Sequence, residues 1–344
     1  ERERERESRR PRRLRRLHTY KDIISLENLL VSWREFVRDK KKRKDVAKFQ
    51  LCFIDNVLEL HQKLAGKTYR HGGYEAFKLN DPKPRDIHKA LVHDRLVHHA
   101  LCRTLYTYFD RKFIHDSYSC RVGKGTHRDM NRFRMFAGQV SRNHTRTCWV
   151  LKCDIRKFFA NIDHEILKAI LAKHVKNVSV IWLCGQIIES FQTKDRIKIG
   201  LPLGNLTSQL FVNVYMNEFD HFVKRELKAK HYIRYADDFV ILHEDKKYLE
   251  NVLPKLAEFL ETKLKLSLHP KKVSIATFAS GVDFLGWVHF PYHRVLRNAT
   301  KWRMWRKIEG ECTWQTVASY KGMLSHGNTH KIKKRILGLD EAIL

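Results

Sequence analysis

Apolar residues recur at helical spacing over residues 20–64, and Lys40-Lys41-Lys42-Arg43-Lys44 breaks the pattern with an exposed basic cluster. This predicts helices flanking a charged break. Gly72-Gly73 reads as a loop, 75–79 as a strand and Asp81-Pro82-Lys83-Pro84 as a turn. Over 95–113, Leu96, Ala100, Leu101, Leu105 and Phe109 fall on one helical face. The centre of the chain changes character. Residues 148–155, Cys-Trp-Val-Leu-Lys-Cys-Asp-Ile, are apolar and β-prone, predicting a buried strand that ends at a carboxylate. A long helix is expected over 206–227, and a hairpin over 232–242, where two β-rich runs meet at Asp237-Asp238. A helix over 249–264, a strand-like 282–290 and a helical, basic segment from Lys301 complete the pattern, with no internal repeat.

Charge changes this picture more than length does. The 344 residues suffice for a sizeable core and two or three subdomains. Sixty-eight Lys and Arg against 38 Asp and Glu leave a net charge of +30 and a pI near 9.9. Such an excess is costly to hold together without an anionic partner, of which nucleic acid is the commonest. A membrane surface would also serve, but no apolar run approaches the roughly 18 residues of a spanning helix and no secretory signal is visible. No membrane partner is therefore expected. The seven cysteines are scattered without a CxxC pair, which fits a reduced, cytoplasmic protein without structural zinc. The 20 histidines form no HExxH arrangement and are expected in solvent or facing nucleic acid. Residues 1–17 alternate Glu and Arg and then cluster Arg, a composition that buries no core. They read either as an arm that grips phosphates or as an artefact of the start, which lacks an initiating Met.

Candidate chemistry lies in the central β-runs. A lone Asp-Asp pair is ordinarily a turn or a solvated face. Asp237-Asp238, however, is flanked on both sides by apolar β residues, and Asp154 ends an equally apolar run. Burying carboxylates there without partners would be expensive. A metal site is the better reading, because two divalent ions about 4 Å apart can stabilise both the attacking and the leaving oxygen of a nucleotidyl transfer.

These residues carry a resemblance. Tyr235-Ala236-Asp237-Asp238 resembles the YxDD box of reverse transcriptases, and Asp154-Ile155-Arg156-Lys157-Phe158-Phe159 resembles their first carboxylate motif. Gly200-Leu201-Pro202-Leu203-Gly204-Asn205, leading to Ser208-Gln209, is similar to the LPQG…SP segment. Phe284-Leu285-Gly286-Trp287 resembles the primer-grip hairpin, and Lys83-Pro84-Arg85 with Asp94-Arg95 resembles the triphosphate-holding fingers segment. Ser119-Cys120-Arg121 with Gly123-Lys124-Gly125-Thr126-His127 is similar to a loop of bacterial group II-like members. The matches keep the family's order over about residues 80–290.

The resemblance implies an α+β right-hand polymerase fold. Its expected parts are a basic low-complexity arm over 1–18, N-terminal helices and fingers over 19–145, an antiparallel-sheet palm over 146–290 with a fingers insertion at about 165–210, and a short helical thumb over 291–344. It implies RNA-templated DNA synthesis with two Mg²⁺ ions, Mn²⁺ being the alternative. Asp154, Asp237, Asp238 and the Ile155 carbonyl would hold the metal. Lys83 and Arg85 would clamp the dNTP triphosphate, helped by Arg95. Phe159 would be the steric gate against a ribose 2′-hydroxyl. Lys272 would be the proton donor to pyrophosphate, with Lys271 a close competitor and a solvated surface lysine the bland alternative for either. The partners implied are template RNA, the RNA/cDNA duplex and dNTPs.

One departure narrows the family. Leu203 stands where most members carry Gln, and Gln209 follows Ser208 where they carry Pro. This combination resembles the bacterial or phage-encoded reverse transcriptases of diversity-generating retroelements, which copy a template repeat with errors at adenines in mutagenic retrohoming and work with an oligomeric basic accessory variability protein. An aliphatic side chain lacks the polar contacts that Gln offers an incoming nucleotide, so mispairs opposite adenine would be discriminated against less. The alternatives are a retron, CRISPR-associated, defence or solitary group II-like enzyme, in which Leu203 merely repacks the pocket, and an inactive RNA-binding scaffold. A nuclease using the same acids is disfavoured, because gate and clamp would serve no purpose. Trp302, Trp305 and Trp314 lie among basic residues and would either track a duplex or pack, with core packing expected for at least two. Residues 320–330 resemble the family's thumb segment.

Overall fold

A computed structural model describes residues 19–80, 84–194, 196–310 and 313–340 and divides the chain into two units. The first comprises the described residues of Glu1–Leu79, Arg85–Lys112 and Phe159–Tyr215, and the second those of Asn80–Pro84, Phe113–Phe158 and Met216–Leu344. The expected basic arm and the turn residues Asp81, Pro82 and Lys83 lie outside the described residues.

The first unit is mainly helical. Thr19 opens it with a capping box, its hydroxyl accepting from the Asp22 N–H and the Asp22 carboxylate accepting from the Thr19 N–H at 2.7 Å. The basic cluster falls where expected, residues 40–43 in the turns after helix Leu26–Phe36 and Lys44 opening helix Lys44–Leu51. The helix expected over 95–113 runs instead over Val92–Phe109, with Leu96, Ala100, Leu101, Leu105 and Phe109 all buried. It starts early because Asp94 is buried in its first turn, accepting from the Tyr69 hydroxyl at 2.6 Å and the Gly72 N–H at 3.1 Å. Strands β1 (Tyr74–Leu79) and β2 (Arg85–Ala90) form an antiparallel hairpin.

The second unit carries the central sheet. Strands β3 (Trp149–Asp154), β4 (His231–Tyr235), β5 (Asp238–His243) and β6 (Ser274–Thr277) pair antiparallel in the order β4-β5-β3-β6. Being central, β3 is buried along most of its length, which explains its unbroken apolar sequence. Helix Thr126–Val140 packs Phe133, Phe136, Ala137 and Val140 against Val150, Ile233, Val240 and Leu242 of the sheet. The helix expected over 206–227 is α-helical over Leu206–His221 and closes in a π-turn over Phe222–Glu226, where the Leu227 N–H reaches the Phe222 carbonyl at 3.1 Å.

Residues 282–290 are two strands rather than one. Strands β7 (Val282–Phe284), β8 (Trp287–His289) and β9 (Arg294–Leu296) make a small antiparallel sheet. Leu285 and Gly286 take φ of 52° and 85°, the double left-handed loop of a tight hairpin. Helices Asn298–Gly310, Trp314–Leu324 and His330–Asp340 follow, closing a second core around Trp287, Leu296, Met304, Val317 and Leu324. Gly327 is obligatory there, since a Cβ would fall 2.0 Å from the Trp287 ring. Only one tryptophan of the basic segment meets the packing expectation. Trp305 packs on this core, whereas Trp302 and Trp314 are 68% and 73% exposed.

Candidate active site

The register of the central sheet assembles the carboxylates. Pairing of β3 with β5 sets Asp154 opposite Asp238. Tyr235 pairs with Asp238 across β4–β5, leaving Ala236 and Asp237 as a two-residue loop. Ala236 takes φ of 56°, a conformation that costs a non-glycine residue about 1–2 kcal/mol. The Ile155 N–H holds the Asp237 carbonyl at 3.1 Å, and the His269 N–H holds that of Asp154 at 2.8 Å. The latter bond brings in the turn 269–272, whose Lys272 ammonium donates to Asp154 Oδ2 at 2.7 Å. Of the two candidate lysines, Lys272 is thus the one that contacts Asp154. Lys271 contacts the turn itself, its N–H donating to His269 Nδ1 at 3.2 Å.

Burial and the adjacent Asp237 charge raise the Asp238 carboxyl to about 6. The Lys152 ammonium opposes this, and Asp154 adds to it by its charge and a side-chain hydrogen bond. A further acid sits in the neighbouring helix. Asp129 is fully buried, neither of its oxygens has a hydrogen-bond partner, and burial, aided by Asp116 and Asp238, raises it to about 8. The folded state therefore keeps a proton that the unfolded chain loses near pH 4. Stability is full below that pH and falls as pH rises towards 8. Asp129→Asn is expected to melt like the native protein at pH 4 and several degrees higher at pH 8, as read by calorimetry.

A buried ion pair lies under the hairpin. Arg234 is wholly buried and donates through Nε and Nη2 to the two oxygens of Asp220, each at 2.7 Å. Its Nη1 donates to the Ala236 carbonyl at 3.0 Å, and Tyr232 donates its hydroxyl to Asp220 at 2.7 Å. Sequence reading missed this strut, although an arginine inside an apolar β-run was a visible signal for it.

The remaining candidates lie in the first unit, apart from Lys83, which is outside the described residues, and the primer-grip residues of the second. Arg85 opens β2 and is exposed. Arg95 is bound to Asp45 and stacks over Phe36 at 4.9 Å. The Phe159 carbonyl accepts from the Leu201 N–H at 2.8 Å, joining the gate candidate to the Leu-Pro-Leu-Gly turn. The Leu203 carbonyl accepts from the His88 N–H at 2.9 Å, and Gly204, at φ of 104°, lets the turn close on Ile87. Gln209 lines a cavity of about 330 Å³ with Lys40, Arg43, Lys89 and Arg95. Phe284 and Trp287 are buried, flanking the half-buried turn that Leu285 and Gly286 make.

Among the described residues, no three His, Cys, Asp or Glu side chains converge on one point as they stand. The donor chemistry nevertheless suits a hard divalent cation. Three carboxylates share one end of the sheet, their mutual charge raises Asp238, and a lysine ammonium stands on Asp154 as a cation would.

Comparison with known proteins agrees with this geometry. The profile of the family described as Reverse transcriptase (RNA-dependent DNA polymerase) matches residues 80–289. Protein YkfC of Escherichia coli (strain K12) is 23% identical over 266 residues, spanning 66% of this chain and 67% of that protein. The Group II intron-encoded protein LtrA of Lactococcus lactis subsp. cremoris is 23% identical over 207 residues, 58% of this chain but 33% of its own length. Apo telomerase from Candida tropicalis superimposes with a TM-score of 0.51 at 13% identity, over 64% of this chain and 48% of that one. That likeness is one of fold. The chain thus spans a third of LtrA and about half of the telomerase.

Proposed function

The chain belongs to the reverse transcriptase family, and on that premise we propose that it copies a template RNA into DNA within a diversity-generating retroelement, with errors concentrated at template adenines. The observation that carries the polymerase reading is the register that brings Asp154 to Asp238 beside the Asp237 loop. Asp154, Asp237 and Asp238, with the Ile155 carbonyl, would hold divalent metal, which supplies charge stabilisation at the attacking and leaving oxygens when bound. Lys272, whose hydrogen bond to Asp154 supports this reading, would protonate the leaving pyrophosphate. Lys83 and Arg85 bind the triphosphate, Phe159 excludes the ribonucleotide, and Phe284 to Trp287 orient the primer. The +30 charge serves the template RNA and the duplex, and the retroelement setting calls for an oligomeric basic accessory protein.

Extension of a DNA primer on an RNA template with Mg²⁺ tests the polymerase reading, and absence of extension in every template context would end it. The retroelement reading rests on Leu203 and Gln209. Replacing Leu203 with Gln restores polar contact near the incoming nucleotide, worth about 1 kcal/mol. It should lower misincorporation opposite adenine by about fivefold. Native errors no commoner opposite adenine than opposite the other bases, read by sequencing the cDNA, would point to a solitary group II-like enzyme instead.

A further inference from the structure

The Thr126–Val140 helix has a second face, and it is not inert. Asn131, Arg134, Met135, Gly138 and Gln139 recur at helical spacing opposite the buried Phe133, Phe136 and Val140. With Arg142, Asn143 and His144 they line a cleft of about 690 Å³. The lining holds two guanidinium groups, three side-chain amides and an imidazole, and no carboxylate. At one end Arg134 donates to the Tyr292 carbonyl at 3.5 Å, and Arg294 donates to Asn131 Oδ1 at 3.3 Å. Burial and the Arg134 charge lower the Arg294 pKa, a sign that cations crowd this end.

Two features here cost the fold stability. Gly138 sits inside the helix, where glycine costs about 1 kcal/mol relative to alanine. Its φ is not left-handed, and a Cβ would meet only Asn143 Oδ1, at an ordinary 3.9 Å. The missing side chain keeps the floor of the cleft open. Beyond the helix, Arg142, Asn143 and His144 have φ of 48°, 56° and 69°, three left-handed residues in succession. Such residues normally occur singly, at a cost of about 1 kcal/mol or more each. The turn is pinned by Asn143 N–H on the Gly138 carbonyl at 2.8 Å and His144 N–H on Ser141 Oγ at 2.9 Å. Strain over-determined in this way gathers at binding sites. Tyr292, 76% exposed, stands edge-on to His144 at 5.2 Å.

We propose that this cleft binds an unpaired RNA strand, at a site sharing no residue with the one built on Asp154, Asp237 and Asp238. Arg134 and Arg142 pair with phosphates, which match the planar guanidinium fork. The exposed ring of Tyr292 takes a stacked base. The amides of Asn131, Gln139 and Asn143 meet the 2′-hydroxyl, which both donates and accepts. An RNA segment outside the primer–template duplex is thereby held while another part is copied.

The full chain, preloaded with saturating unlabelled RNA–DNA primer–template, is titrated against a short labelled oligouridylate and read by anisotropy. Arg134→Ala with Arg142→Ala should weaken binding about tenfold or more and reduce the log–log salt slope by about 1.4, at roughly 0.7 per phosphate on a single strand. Gly138→Leu fills the floor without changing charge and should weaken binding to a similar extent with the slope unchanged. Gly138→Ala should bind as the native protein does and melt slightly higher. Primer extension should stay within about twofold of native in all of them. Native-like binding by both the double variant and Gly138→Leu overturns the proposal, as does oligodeoxythymidylate binding as well as oligouridylate. Loss of primer extension in parallel with loss of binding also overturns it, by assigning the cleft to the copying site. Should the double variant fail to fold, Gly138→Leu decides alone.

Discussion

Asp237→Asn is expected to reduce nucleotide incorporation by about three orders of magnitude while leaving the folded state at least as stable. The activity loss follows from charge. Asp237 is one of three carboxylates gathered at the end of the sheet, and a neutral amide offers a hard cation far less than a carboxylate does. Losing several kcal/mol of transition-state stabilisation costs about tenfold for each 1.4 kcal/mol. The stability expectation has the opposite sign because the Asp237 charge, after burial, is the largest cause raising Asp238. Removing that charge relieves a repulsion in the metal-free protein, and the Asp238 carboxyl should move back towards the ordinary range. Single-turnover incorporation on an RNA template, thermal melting and carboxyl titration by NMR read the three consequences. Incorporation within tenfold of native would mean that Asp237 is not part of the catalytic set.

Legibility in the sequence depended on whether a feature was written in neighbouring residues or in pairings across the fold. The apolar run of β3, the hairpin about Asp237-Asp238 and the helix that buries Leu96 to Phe109 are local patterns, and all three appear in the structure. The meeting of Asp154 with Asp238 was expected from resemblance, but what makes it physical is a register that no single segment encodes. Misplaced boundaries came from polar residues with buried partners. Asp94 fell just outside the expected helix, because its partners Tyr69 and Gly72 are distant in sequence. The turn at Leu285-Gly286 was implied by the resemblance to the primer-grip hairpin and not by local pattern, because leucine rarely adopts the left-handed φ found there. Core packing was expected for at least two of Trp302, Trp305 and Trp314, yet Trp302 and Trp314 are exposed, since amphipathic spacing cannot tell which face of a basic helix finds a partner. Arg234 and Asp220 lie 14 residues apart, on a strand and a helix, and only the tertiary fold brings them together.

That pair underlies the second large effect. Arg234→Met should lower stability by about 3–5 kcal/mol, because it strands the Asp220 carboxylate in a site with no exposure. For a chain of this size the melting temperature should fall by on the order of 10 °C. Activity should fall too, for a separable reason. Arg234 Nη1 holds the Ala236 carbonyl, and Ala236 is the left-handed residue that turns the chain into Asp237. Without that donor the strained loop can relax, and the carboxylate it positions moves with it. Asp220→Leu, Tyr232→Phe and Arg234→Met together separate the two roles. The triple variant leaves no buried charge and no unpaired tyrosine hydroxyl, though the neutral Ser117 Oγ loses a donor, and replacing a buried ion pair by apolar residues is often neutral or stabilising. Its melting temperature should return close to native, while its rate of incorporation stays at least about tenfold low with little change in the KM for dNTP. Native activity in a triple variant of native stability would show that Arg234 serves the fold alone and that the turn at Ala236 holds its own shape.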